Sequence, residues 1–226
     1  TDQSLEKSLK TNEDEDPSFE IIKSFAKQIL ESKDEISLKE VIISRMDVDK
    51  IISLIVVDRI IRNDDGPFHW YCDENSFCSN HNYYWYEEPS TKKLYLIPWD
   101  LDNAFENIVF STNPVTPIAD NFGEIRNNCE PFEFGPWNIK QWSASCDKLT
   151  KGWTYFSDEL FNKKINFLDG PFQENLVNDL INEWIDQIDS SVLEESETHS
   201  DATSFEKWKG SVDYLISQLG FVRNSN

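Results

Sequence analysis

The sequence predicts an α+β domain, mainly helical, whose most polar site sits around a single β-hairpin. Three observations predict it. Residues 48–62 are apolar on most sides over the length of a helix and stop at Asn63-Asp64-Asp65-Gly66-Pro67. Residues 82–87 and 93–98 are aromatic and β-prone segments flanking a polar turn, the pattern of a hairpin. From residue 154 onward the apolar positions recur at helical spacing.

Taken in order, residues 1–17 are polar and acidic (Asn12-Glu13-Asp14-Glu15-Asp16) and end at Pro17, which reads as a solvated leader or linker. Residues 18–226 then read as one domain. Ser18 is placed to cap a helix over about 19–32, where Phe19, Ile22, Phe25, Ile29 and Leu30 share a face. Ser37 starts a short helical stretch, 38–45. Asp47 is placed as the N-cap of the apolar helix. Its run of Ile51, Ile52, Ile55, Val56 and Ile60 is expected in the core, because a helix apolar all round must be buried. Residues 66–81 read as an irregular loop, and 106–150, rich in Asn, Pro, Trp and Phe, show little periodicity. Helices are expected at about 154–167, 171–189 and 204–220, with a polar loop over Asp189–Asp201.

Composition narrows the function. At 226 residues, 38% hydrophobic, with eight Trp and fifteen Phe, the chain can bury a real core. Its formal charge of −21 argues against nucleic acid and anionic membrane as partners, since both need Lys and Arg to meet phosphate. An anionic ligand would need a divalent cation to bridge it to so acidic a protein. No apolar run reaches the length of a membrane span, and no signal peptide is visible at the N-terminus. The four cysteines, Cys72, Cys78, Cys129 and Cys146, allow three pairings. Pairs 72/78 and 129/146 would each clip one loop. Their aromatic, loop-like surroundings favour disulfides and an oxidising compartment, with free buried thiols the alternative.

The chemistry concentrates at the ends of the rigid elements. Asp65, Asn82, Asp100 and Asp102 offer hard oxygen ligands of the kind that hold Mg²⁺ or Mn²⁺ beside phosphate and water. A carboxylate left without metal can orient a hydroxyl and take its proton. One such Asp, then an Asn, a hairpin and a metal-binding Asp is the order found in the C-lobe of a protein kinase. Each residue alone has a plainer reading. Asp64 and Asp65 belong to a helix stop, Asn82 caps a strand edge, and Asp100 and Asp102 suit a hairpin exit or a structural Ca²⁺ site.

The segment His81-Asn82-Tyr83-Tyr84-Trp85-Tyr86, followed by a turn and Ile97-Pro98-Trp99-Asp100-Leu101-Asp102, resembles the CotH family of spore-coat protein H kinase-like proteins. Met46-Asp47-Val48-Asp49 is similar to that family's lead-in to the apolar helix, so the motif match spans about 46–105. The resemblance implies a kinase-like C-lobe that uses ATP with Mg²⁺ or Mn²⁺ to phosphorylate Ser or Thr of secreted or coat proteins. It implies Asp65 as the Asp that orients the substrate hydroxyl, Asn82 and Asp100 as nucleotide and metal binders, and Asp102 as a further metal ligand or support. Trp99 would pack the site.

Asp65 and Asn82 lie 17 positions apart, where the kinase catalytic loop places them five apart. An insertion of about twelve residues, roughly Phe68–Asn80, accounts for the difference. Alternative registers make Asp64 or Asp73 the base. Residues 1–46 contain no strand-rich N-lobe, the seven glycines form no phosphate-covering loop, and Lys23, Lys27 and Lys33 read as solvated helix charges. An N-terminal lobe is therefore expected to be missing from this stretch. The alternative function is a secreted or cell-surface adhesion module that keeps the fold and meets a receptor through the aromatic loops 66–81 and 106–156. Closely spaced Asp100 and Asp102 fit metal better than the paired carboxylates of a carbohydrate-processing enzyme.

Overall fold

The computed structural model describes residues 2–11, 17–105, 109–110, 113–114, 121–135 and 138–224. The acidic run 12–16 and much of 106–120 lie outside the described residues. The architecture is α+β, as expected. Within residues 1–17, expected to be a solvated leader, α1 (Asp2–Ser8) is helical.

Three helices follow. α2 (Glu20–Glu31) buries Phe25 and Ile29. α3 (Glu35–Arg45) begins earlier than expected because Asp34, not Ser37, is its N-cap. The Asp34 side chain accepts from Ser37 N at 2.8 Å, and Ser37 Oγ accepts in return from Asp34 N, a capping box that satisfies two orphan donors. α4 (Val48–Ile60) is capped by Asp47, which accepts from Lys50 N at 3.2 Å. It buries Ile51, Ile52, Ile55, Val56 and Ile60 and forms the centre of the core, which fits its lack of a polar face.

The expected loop 66–81 holds two short strands, β1 (Trp70–Cys72) and β2 (Cys78–Ser79). The expected hairpin is β3 (Tyr83–Glu88) with β4 (Lys93–Pro98), in register from Tyr83↔Pro98 to Glu88↔Lys93. Leu94 of β4 reaches the core and bridges Met46 in parallel fashion. A two-residue pair, β5 (Val109–Phe110) and β6 (Asn113–Pro114), comes next, then β7 (Phe132–Phe134) and β8 (Ile139–Trp142). Strands β2-β1-β8-β7 make one four-stranded antiparallel sheet. Strands of two to four residues are too short to leave a period-2 signature, so the sheet was not visible in the sequence.

Both cysteine pairs brace this sheet. Cys72 and Cys78 sit opposite each other across β1 and β2 and are joined. Cys129 and Cys146, in two short 3₁₀ turns flanking β7 and β8, are joined as well. The pairing is the one that clips each loop on itself.

The C-terminal part is helical: α5 (Lys148–Thr154), α6 (Ser157–Leu168), α7 (Glu174–Thr198) and α8 (Phe205–Asn224). The expected loop over Asp189–Asp201 is largely helix, because no Gly or Pro interrupts α7 before Thr198. α5 lies close against α3: a Cβ on Gly152 would stand 2.6 Å from Ile42 Cδ1. Phe68, in the turn after α4, stacks edge-on to Trp153 of α5 at 5.6 Å and carries the insertion into the core.

Candidate active site

The site is built where α4 ends. Ile61 caps the helix, and Arg62 turns the chain with φ of 53°. Asn63 is buried and bonds back onto the helix twice: its N–H donates to Asp58 O at 3.1 Å and its Nδ2 to Asp58 Oδ2 at 2.9 Å. This clamp fixes the direction in which the next two carboxylates leave the helix. Gly66 closes over it. A Cβ there would stand 2.4 Å from Asn63 Nδ2 and 2.5 Å from Asp58 Oδ2, so Gly66 is required by close approach and not by an unusual φ. Gly66→Ala is expected to destabilise the fold by about 1–3 kcal/mol, read from the denaturation midpoint, because both neighbouring side chains are held by their mutual bond.

Asp64 and Asp65 face different surroundings. Asp64 is 3% exposed. Its N–H donates to Asn103 O at 2.9 Å, its backbone O accepts from Tyr71 Oη at 3.1 Å, and His69 Nδ1 lies 3.2 Å from its Oδ1. His69 is itself buried, and its ring lies tilted at 45° and 4.6 Å from that of Tyr71, whose hydroxyl burial pushes well above its ordinary range. Asp64 therefore anchors the loop inward. The side chain of Asp65 keeps 35% exposure. Asn82 Nδ2 donates to its Oδ2 at 2.9 Å, and His81 Nδ1 lies 3.2 Å from its Oδ1. Burial raises its pKa above the usual carboxylate value despite these two neighbours, which is the direction that suits a proton acceptor.

The hairpin brings the remaining residues to the same place. Asn82 precedes β3 and Asp100 follows β4, so antiparallel pairing returns them to one end, and Trp99 N–H donates to Asn82 O at 2.8 Å. The segment after β4 then docks on the end of α4: Asn103 O accepts from Asp64, and Phe105 N–H donates to Ile61 O at 2.7 Å. Asp100 has its pKa raised, first by the negative charge of Asp102 and, after burial and a hydrogen bond from Asp102, by that of Asp65. Asp102 and Asp65 thus both act on Asp100, at the end of the hairpin where Asn82 bonds Asp65. Asn82, Asp100 and Phe105 have φ of 56°, 54° and 68°, a left-handed conformation uncommon outside glycine. Such strain gathers where a chain is held in one arrangement around a site.

A divalent cation fits this donor set in chemistry. Asp100, Asp102 and the Asn82 carbonyl are hard oxygens, and a cation would relieve the mutual repulsion that raises Asp100. Among the described residues no group of three His, Cys, Asp or Glu forms a metal cage. Mg²⁺ rarely has such a cage, since phosphate and water complete its shell. Asp73 is not part of the cluster. It closes the turn between β1 and β2 by accepting from Phe77 N at 2.8 Å.

Residue-by-residue reading of the sequence singled out Asp65, Asn82, Asp100 and Asp102, and the fold brings these together. It assigned no part in this site to Asp58, which is held by Asn63 at the end of α4, or to His69 and Tyr71, whose contacts with Asp64 depend on how residues 68–80 fold. His81 stood next to Asn82 in the motif, and a ring nitrogen beside a strand-entry Asn was the available signal.

Trp99 and Leu101 remain exposed beside the cluster, Trp99 at 6.0 Å from the Tyr84 ring, so Trp99 borders the site rather than filling its interior. No helix among the described residues is long and apolar enough to cross a membrane.

No curated protein and no solved structure matches the chain. A family model described as CotH kinase protein matches residues 1–222, a span that takes in the whole hairpin site and nearly all of the sequence around it. The chain belongs to the CotH kinase family.

Proposed function

We propose that this chain is an atypical protein-kinase-like domain, corresponding to a kinase C-lobe, that transfers the γ-phosphoryl of ATP to a Ser or Thr hydroxyl. Family membership supports the kinase-like character. The observation that carries the finer reading is the contact of Asp65 with Asn82 at 2.9 Å next to the Asp100–Asp102 pair. It supports reading Asp65 and Asn82 as a catalytic-loop pair despite the 17 positions between them.

In this reading Asp65 orients the acceptor hydroxyl and takes up its proton. His81 and Asn82 hold the two Asp65 oxygens from either side, which fixes the carboxylate plane toward the acceptor. Asp100, Asp102 and the Asn82 carbonyl would hold Mg²⁺ or Mn²⁺. The bound metal would supply positive charge to the nucleotide phosphates, which the acidic chain otherwise repels. Asp64 is the less suitable base because its carboxylate is buried against His69. The insertion between Asp65 and Asn82 is folded away as β1 and β2 under its own disulfide, which leaves the catalytic-loop ends in contact. Two disulfides fit a secreted or coat-associated setting, with protein hydroxyls as acceptors.

Thermal shift tests the binding half of this reading. ATP with Mg²⁺ or Mn²⁺ is expected to raise the melting temperature of the wild-type chain, ATP without metal to raise it little, and Asp100→Ala to abolish the metal-dependent part. An Asp100→Ala protein stabilised as much as wild type would remove Asp100 from the metal site.

A further inference from the structure

α7 carries more apolar surface than its packing uses. Val177, Ile181 and Ile185 belong to the core, and the helix lies against α8. Beside that packed side runs a second apolar row: Leu176, Leu180, Trp184 and Ile188 are 53, 43, 53 and 46% exposed. Each follows the last by four positions, so the four form a continuous ridge along one face. At 1.5 Å per residue the ridge is about 18 Å long, or about three turns of helix. Apolar residues exposed singly are ordinary, whereas a contiguous row rimmed by polar residues marks a contact surface.

The rim of this ridge has one sign of charge. α7 contains no Lys or Arg in its 25 residues. Asp179 and Glu183 follow Leu176 and Leu180 by three positions and so flank the ridge along one side, with Asp186 continuing their row. All three are exposed, and no ion pair among the described residues involves α7.

These features select the occupant. The backbone groups inside α7 are bonded along the helix, so a partner cannot join it as a strand and must satisfy its own backbone, as a helix does. A second copy would set Asp179, Glu183 and Asp186 near the same carboxylates of its own α7, with no cation on either helix to offset them. An anionic lipid surface meets the same repulsion. A helix with one apolar side and a margin of Lys or Arg covers the ridge and pairs with the three carboxylates.

We propose that the Leu176–Ile188 ridge of α7 docks a basic amphipathic helix of another protein. No residue of the ridge belongs to the Asp65–Asp100 cluster, and the proposal does not rest on phosphoryl transfer.

The test is a fluorescence-anisotropy titration of a labelled synthetic peptide with the whole chain. The peptide has about 18 residues, with Leu along one helical face and Lys along the other. A shuffled peptide of the same composition, with no apolar face, controls for general attraction to an acidic protein. The amphipathic peptide is expected to bind about tenfold more tightly than the shuffled one. Leu180→Ala combined with Trp184→Ala is expected to weaken its binding about tenfold with the melting temperature unchanged, since both side chains are exposed. Asp179→Asn combined with Glu183→Gln is expected to weaken it and to reduce its dependence on salt. Leu30→Ala combined with Ile36→Ala, exposed on α2 and α3, is expected to leave it unchanged. The proposal is overturned if the amphipathic peptide fails to bind, if the shuffled peptide binds as tightly, or if the Leu180 and Trp184 variant binds like wild type. A wild-type dimer in sedimentation that this variant breaks would also overturn it, by giving the ridge to a second copy. The comparison of the two peptides on the wild-type chain stands by itself should a variant fail to fold.

Discussion

Asp65→Ala is expected to lower the rate of phosphoryl transfer by about 10²–10⁴-fold, the range for loss of a positioned general base. Stability should change little, because the Asp65 side chain is about one-third exposed and its partners His81 and Asn82 both reach solvent. Asp64→Ala is expected to behave in the opposite way. Its carboxylate is buried beside His69, and its loss should destabilise the fold by about 3 kcal/mol, while the folded fraction retains its base. Melting curves and single-turnover rates measured on the same preparations separate the two. A stable but inactive Asp64→Ala protein, with Asp65→Ala still active, would shift the catalytic register by one residue.

The second large effect concerns Asp58. It is buried under the clamp with Asn63, and burial pushes its pKa up from 3.8 to about 7, against the smaller opposing pulls of Asn63, Arg59 and His69. In the unfolded chain Asp58 ionises near its ordinary value. Between about pH 4 and pH 7 the folded state therefore holds a proton that the unfolded state has lost, and folding stability falls as pH rises through this window. Above about pH 7 the contribution is flat. The total is on the order of 4 kcal/mol, from about 1.4 kcal/mol for each unit of difference. Asp58→Asn imitates the protonated form. The stability difference between this variant and wild type should be small at pH 4, grow through pH 7 in favour of the variant, and then level off. Urea denaturation at a series of pH values measures it. A difference that does not depend on pH would show that Asp58 stays ionised in the folded chain.

The parts legible in the sequence were those with a strong periodic or punctuating signal. The apolar run of α4, its Asp47 cap and its Asn63–Gly66 stop were readable because a buried helix has no polar face to confuse with anything else. The β3–β4 hairpin was readable from its aromatic strands, and with it the return of Asp100 to Asn82. The four-stranded sheet was not, since the pairing that joins its halves, β1 with β8, links residues as distant as Trp70 and Trp142, and each strand is shorter than a periodicity window. The insertion that looked like a loop is therefore a folded platform, stapled by Cys72–Cys78 and anchored by Phe68. Residues that depend on it were hidden for the same reason: His69 meets Asp64, and Tyr71 meets the Asp64 carbonyl, only once β1 turns back toward the end of α4. α3 shows a smaller version of the same limit. Asp34 and Ser37 are both good caps by residue type, and only their reciprocal bonds decide that the helix starts at Glu35.

The acidic cluster illustrates how spacing can mislead where contact does not. Seventeen positions separate Asp65 from Asn82, yet the disulfide-closed β1–β2 turn brings the two ends of the insertion together. Insertions at loop ends are tolerated when their own termini lie close, because closing a longer loop adds only a small entropic cost. The contact between Asp65 and Asn82 is thereby made despite their separation along the chain.

The central claim is that this cluster directs metal-dependent phosphoryl transfer, and the most direct measurement is incorporation of the γ-phosphoryl of ATP into a Ser- and Thr-containing protein acceptor or into the chain itself. The wild-type chain with Mg²⁺ or Mn²⁺ is predicted to transfer phosphate, with Asp100→Ala and Asp65→Ala each reducing the transfer to background while remaining folded. Transfer by the wild type that is unchanged in folded Asp100→Ala, or no transfer by the wild type with either metal, would contradict it.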